Sequence, residues 1–227
     1  MRYLALASDY DGTLAADGRV NKETVAALER LQKSGRKFIL VTGRELDELL
    51  QVFKQINLCD LVVAENGALL YAPATREEKL LGTKPPEEFV KKLRDRGVAP
   101  LSVGRAIVAT WRPNETKVFE VIRELRLELQ VIFNKDAVMV LPSGVNKASG
   151  LKVALDKLGL SPNNVVGIGD AENDRDFLSA CRCGVAVANA LDILKEQADF
   201  VTKSARDAGV VEIIDHLVAN DFSELKL

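Results

Sequence analysis

A few residues of this chain have side chains that do chemistry and stand where a fold can gather them. Asp9 and Asp11 lie two positions apart in Ser8-Asp9-Tyr10-Asp11-Gly12-Thr13-Leu14, directly after the apolar run Tyr3-Leu4-Ala5-Leu6-Ala7. That run reads as a buried strand, so both carboxylates arrive at its C-terminal end. Gly12 permits a sharp turn there, which can aim the two at one point. One carboxylate can then attack while the other moves a proton. An isolated Asp-x-Asp-Gly is an ordinary turn sequence, so its weight depends on reactive groups elsewhere in the chain. Thr42-Gly43-Arg44 follows the run Lys37–Val41, and Gly169-Asp170-Ala171-Glu172-Asn173-Asp174 follows Val165-Val166-Gly167-Ile168. Lys147 begins a segment with Leu151, Ala154, Leu155 and Leu158 at helical spacing.

The elements that position these groups come in an alternating rhythm. After the first strand, Asn21 caps a helix carrying Val25, Leu28 and Leu31, and Ser34-Gly35 ends it. Strand Lys37–Val41 leads to a helix with Leu46, Leu49, Leu50, Phe53 and Ile56 on one face, which places Thr42 and Arg44 before a helix N-terminus that favours an anion. Strand 60–64 ends at Glu65-Asn66-Gly67. Strand alternating with helix specifies a parallel sheet with right-handed crossovers, whose ligands bind beyond the C-terminal strand ends. The rhythm then breaks. A helix with Phe89, Val90 and Leu93, a strand over 105–111, a helix with Val118, Val121, Ile122 and Leu125, and two strands joined at Asn134-Lys135-Asp136 form an antiparallel unit. From Lys147 the parallel rhythm resumes. The expected architecture is α/β: a doubly wound, Rossmann-like parallel-sheet core over residues 1–72 and 143–227, with an α+β cap inserted at 73–142.

Composition narrows the classes. The 227 residues are 47% hydrophobic and 28% charged, with a formal net charge of −2, as expected of a folded globular protein and without a basic footprint for nucleic acid. No apolar run approaches the ~18 residues of a membrane span, and Asp9 interrupts the first apolar segment before it could act as a leader. The expected location is cytoplasmic, with no membrane or nucleic-acid partner. Cys59, Cys181 and Cys183 make neither a disulfide framework nor a zinc signature and read as buried apolar side chains. His216, the single histidine, falls near the last helix and away from the strand ends. Nothing in the sequence sets an oligomeric state.

Asp9, Asp11, Asp170 and Asp174 gathered at one sheet edge would repel each other unless a cation neutralised them, and hard oxygen donors suit Mg2+. Such a site asks for an anionic substrate. Phosphate fits, with Thr42 donating a hydrogen bond and Lys147 supplying positive charge. The order Asp-x-Asp-Gly-Thr, Thr-Gly-Arg, Lys, Gly-Asp-x-x-Asn-Asp resembles the four motifs of the haloacid dehalogenase superfamily, specifically its aspartyl-nucleophile phosphatases. The insertion point and element order of 73–142 resemble the smaller variety of its type II cap, as in sucrose, trehalose, mannosyl-phosphoglycerate and archaeal phosphoglycolate phosphatases. The resemblance implies that Asp9 attacks phosphorus and that Asp11 protonates the leaving alcohol and then activates water. It also implies that Mg2+ is held by Asp9, the Asp11 carbonyl, Asp170 and Asp174, and that Thr42 and Lys147 hold the phosphoryl oxygens. Gly43, Arg44 and Asn173 are further candidates for substrate contact. The expected substrate is a small phosphorylated metabolite of the sugar phosphate or phosphoglycolate class. A phosphomutase of the same superfamily and a non-catalytic phospho-ligand module are the alternatives.

Overall fold

The computed structural model describes residues 1–223. The chain opens with β1 (Ala5–Ser8), whose four residues are all buried. Helix α1 (Lys22–Lys33) is next, capped by the Asn21 side chain accepting from Thr24 N at 2.8 Å. It buries Thr24, Ala27, Leu28 and Leu31, the spacing that puts one face on a core. Then come β2 (Lys37–Val41), α2 (Leu46–Val52) and β3 (Leu61–Ala64). The second helix is shorter than its apolar spacing predicts: it stops before Phe53, and Ile56 opens a separate 3-10 turn.

Residues 69–80, to which the sequence pattern assigns no element, form an antiparallel hairpin of β4 (Leu69–Ala72) and β5 (Glu77–Leu80) on the large sheet. Every residue of β5 is exposed, so it carries no alternating apolar signal to read. The chain then builds α3 (Glu87–Asp95), β6 (Ser102–Val103), β7 (Val108–Trp111), α4 (Glu115–Glu124), β8 (Leu129–Asn134) and β9 (Ala137–Pro142). These four strands form a second, antiparallel sheet in the order β6-β7-β9-β8. Alternation divides it. Val108, Val138 and Val140 face a core shared with Phe89, Leu93, Val118 and Val121 of the two helices. Ile107, Met139 and Leu141 belong to a different cluster on the other side.

The first sheet is completed by α5 (Lys147–Leu158), β10 (Val165–Gly169), α6 (Arg175–Ala180), β11 (Cys183–Ala186), α7 (Asp192–Lys195), β12 (Phe200–Val201) and α8 (Arg206–Asn220). Its order is β12-β11-β10-β1-β2-β3-β4-β5, parallel from β12 through β3 and antiparallel only at β4 and β5. The order reverses direction between β1 and β10, which pair in parallel. In open α/β sheets the crevice above such a reversal is where ligands bind. Among the described residues no helix is long and apolar enough to cross a membrane.

Candidate active site

Asp9 follows β1 and Asp170 follows β10, so the reversal of strand order sets them side by side. Both are at most 5% exposed. The Asp9 N–H donates to Ile168 O at 2.9 Å, extending the ladder to the first carboxylate. Gly12 lies in the adjoining turn with φ +83°, and a Cβ there would come within 2.6 Å of Asp170 Oδ2. The position therefore requires a left-handed backbone and also the absence of a side chain. Thr13 Oγ1 donates to Asp170 Oδ1 at 3.2 Å.

Lys147 reaches the same point from the first turn of α5. Asn146 and Ser149 close that helix start with a reciprocal capping box. The helix end can approach because Gly67, at φ +106°, has no side chain: a Cβ there would fall 1.9 Å from Asn146 O. The Lys147 ammonium donates to Asp9 Oδ1 at 2.5 Å and to Asp174 Oδ1 at 2.6 Å. Asp174 Oδ2 accepts the backbone N–H groups of Asp170 and Ala171 at 2.8 and 3.0 Å. Asp174 thus folds its own loop and fixes the lysine, and both its oxygens are engaged.

Carboxylate oxygens of Asp9, Asp170 and Asp174 lie within 4.8 Å of one another. Burial pushes the Asp9 carboxyl well above the usual range, and the neighbouring Asp174 adds to this against the pull of Lys147. Burial likewise raises Asp170, countered by Lys135. Burial alone would lower the Lys147 ammonium; Asp174 and Asp9 outweigh it and hold the group charged. Three buried carboxylates gathered at one point, all offering hard oxygen, fit a divalent cation.

The other expected residues are distributed around this floor. Asp11 stands apart from the cluster, paired at two points with Arg44, Nε to Oδ2 at 2.6 Å and Nη2 to Oδ1 at 2.7 Å. Thr42 is buried, with its hydroxyl oxygen accepting the Arg44 N–H at 3.1 Å. Asn173 is buried too, and donates to Asn66 Oδ1 at 2.9 Å. Gly43 lies against the second sheet: a Cβ there would meet Met139 Sδ at 3.4 Å. A cleft of about 490 Å³ lies between the two sheets, bounded by Asp9, Asp11, Gly43 and Arg44 on one side and Ile107, Ala109, Trp111, Lys135 and Met139 on the other.

Two groups join the halves: Glu65, to which the sequence pattern assigns no role, and Lys135, which it offers only as one of several polar residues of the cap, with Arg105, Arg112 and Asn134. Glu65 is fully buried, and its carboxylate accepts three backbone N–H groups, from Arg105, Ala106 and Ile107, at 2.9, 2.7 and 3.0 Å. Lys135, in the turn between β8 and β9, reaches Asp170 Oδ2 at 2.8 Å, and its N–H donates to Glu172 Oε2 at 3.2 Å. Glu172, which reads as a solvated loop residue, is therefore a contact between the halves. His216 lies on α8 beside Phe222, 6.0 Å between rings, and takes no part in the site.

Comparison with known proteins agrees with this geometry. Residues 6–101 and 103–214 match the family described as haloacid dehalogenase-like hydrolase. A phosphoglycolate phosphatase of Methanothermobacter thermautotrophicus is 33% identical over 92% of this chain and 96% of its own length. A 5-amino-6-(5-phospho-D-ribitylamino)uracil phosphatase of Bacillus subtilis is 28% identical over 94% of this chain and 95% of its own. Among solved structures, a haloacid dehalogenase-like hydrolase from Bacteroides thetaiotaomicron superposes with a TM-score of 0.77 at 21% identity, covering 95% of this chain and 99% of that one. A subclass IIB sugar phosphatase superposes at 0.78 and 21% identity, covering 94% and 98%. With motifs, strand order and near full-length matches in agreement, the chain belongs to the haloacid dehalogenase-like hydrolase family.

Proposed function

We propose that the protein is a Mg2+-dependent phosphomonoesterase that works through an aspartyl-phosphate on Asp9 and takes a small phosphorylated metabolite, with phosphoglycolate as the leading substrate. The observation that carries this reading is the position of Asp9: a buried carboxylate at the strand reversal, one oxygen held by Lys147 and the residue itself facing the cleft. Among the described residues no donor reaches its Oδ2, which leaves that oxygen free to attack. Lys147, held on Asp9, is placed to draw in a phosphoryl oxygen beside the nucleophile. Asp9, Asp170, Asp174 and the Asp11 carbonyl are the residues that would hold Mg2+, which when bound supplies charge neutralisation for the transferring phosphoryl group.

In the reaction so read, the Asp9 carboxylate forms a bond to phosphorus as the ester P–O bond breaks. Asp11 gives its proton to the departing alkoxide oxygen, then takes one from the water that attacks the aspartyl-phosphate and returns inorganic phosphate. For either step Asp11 must leave Arg44 and turn inward, so Arg44 is assigned to holding Asp11 at the cleft rim between turnovers. Thr42, Gly43 and Asn173 line the approach to the phosphoryl group in this reading. The cap, residues 73–142, covers the leaving group and excludes water. Its strand Glu77–Leu80 stays with the large sheet, so the covering part begins beyond Leu80.

Substrate identity rests on the phosphoglycolate phosphatases among the relatives. A second reading has one observation in its favour: Trp111, 52% exposed on the cleft wall, offers an aromatic face to a larger leaving group. Phosphate release measured with Mg2+ over phosphoglycolate, sugar phosphates and a ribityl phosphate tests both. The expected result is turnover led by phosphoglycolate, lost on chelation and reduced on the order of 10⁴-fold or more in Asp9→Asn. Release that survives in Asp9→Asn would remove the covalent route, and phosphoryl transfer without net release would replace hydrolysis by a mutase.

A further inference from the structure

The cleft has an acidic floor and a largely apolar cap wall, and one cation crosses from the wall to the floor. Lys135 sits at the turn between β8 and β9, and its ammonium ends 2.8 Å from Asp170 Oδ2, inside the carboxylate cluster. Its side chain is 54% exposed, whereas Lys147 is buried between Asp9 and Asp174. The charged groups around Lys135 are Asp170, Asp9 and Glu172, and the Lys135 N–H donating to Glu172 Oε2 fastens the turn to the same loop that carries Asp170. Arg44 also borders the cleft, but from the core side beside Asp11, whereas Lys135 stands on the facing wall.

An ammonium has three donors, and only one contact of Lys135 is made by its side chain, to the carboxylate assigned to the metal. Were Asp170 to hold a divalent cation, the ammonium would be released from that partner while its turn stayed tied to Glu172. It is then a cation at the mouth of the phosphoryl site, on the side where the leaving group lies. A substrate with a carboxylate on the carbon next to the phosphoester carries its second anion into that space. A neutral alcohol brings nothing that Lys135 needs.

We propose that Lys135 is the specificity-determining residue for an anionic leaving group, pairing with the carboxylate of a phosphorylated hydroxy acid such as phosphoglycolate. This rests on the phosphatase reading and names which of its substrate classes the cap selects. Charge-assisted pairing at a half-buried site is the interaction used, and a specific cation distinguishes an acid from an alcohol more sharply than apolar contact does.

The test compares wild type, Lys135→Gln and Lys135→Arg with Mg2+, using phosphoglycolate and glycerol 3-phosphate, whose leaving alcohol is neutral. Lys135→Gln is expected to raise KM for phosphoglycolate by about tenfold or more and leave that for glycerol 3-phosphate within about twofold, with Lys135→Arg restoring part of the loss. Calorimetric binding of phosphoglycolate to Asp9→Asn and to Asp9→Asn with Lys135→Gln gives a second readout that needs no turnover, with the same tenfold weakening expected. Equal losses on both substrates would make Lys135 a latch that holds the cap, and unchanged phosphoglycolate binding would remove it from recognition; either overturns the proposal. Wild type that releases phosphate from neither substrate yet binds phosphoglycolate through Lys135 would overturn hydrolysis and leave this pairing standing.

Discussion

The floor and the cap of this cleft use charge in opposite ways. On the floor, Lys147 is 1% exposed and lies between two buried carboxylates. On the outer side of the cap, Arg96 pairs with Glu120 and Glu124, and Lys92 with Glu124, all at least partly exposed to solvent. Removing one partner from a buried cluster strands a charge in a medium that cannot solvate it, at about 3–5 kcal/mol. Exposed pairs of the same kind contribute about 0–1 kcal/mol. The contrast shows where the molecule holds charge against its tendency to be hydrated.

Three substitutions break or sharpen the contrast. Lys147→Met is the most severe, because it leaves Asp9 and Asp174 facing each other without a cation. We expect activity to be lost and the melting temperature to fall by roughly 10 °C, with part of the fall recovered on adding Mg2+; an unchanged melting temperature would mean that the floor is not under electrostatic load. Glu65→Gln is intermediate. It removes the charge from an acceptor of three N–H groups and puts an amide donor among them, which costs about 1–3 kcal/mol, and it loosens the segment 105–107 that ties the cap to the core. Phosphate release should slow more than stability falls, and hydrogen exchange should quicken at Arg105, Ala106 and Ile107 while the amides of β1 and β10 stay protected. Uniform exchange across both halves would argue that Glu65 only supports the core. Arg96→Ala is the smallest, with stability within about 0.5 kcal/mol of wild type and unaltered turnover; a larger loss in thermal denaturation would show that the cap surface carries more than exposed pairs do.

The same division governs what could be read from the sequence. Asp9, Thr42 and Asp170 are legible because strands buried in a parallel sheet are short apolar runs and the polar residue that follows each run is conspicuous, and Asp174 lies in the same loop as Asp170. Lys147 is legible as the start of an amphipathic helix. Glu65 is not, since a carboxylate in an Asn-Gly turn looks solvated until the residues 105–107 arrive from forty positions away to donate to it. Lys135 is one of several polar residues of the cap, with Arg105, Arg112 and Asn134, and sequence does not single it out for the same reason: its partner belongs to another sheet. β4 is a short buried apolar run of the legible kind, but its hairpin partner β5 is not, because an exposed edge strand of Glu-Glu-Lys-Leu has no buried face to impose a period. Local pattern records burial against the chain's own element, and contacts made between distant elements leave no such trace.

The pairing of β1 with β10 also bears on how the molecule comes to exist. Ala5 aligns with Val165 and Ser8 with Ile168, so the centre of the large sheet closes only after most of the chain has been made, whereas the cap strands pair with near neighbours in sequence. Loop closure over such a separation is entropically costly and slow relative to hairpin formation. During synthesis the cap can therefore gain its structure while Asp9 still waits for Asp170, and the carboxylate cluster of Asp9, Asp170 and Asp174 is among the last features the ribosome makes possible. A nascent chain cannot assemble this cluster before its fold is nearly complete.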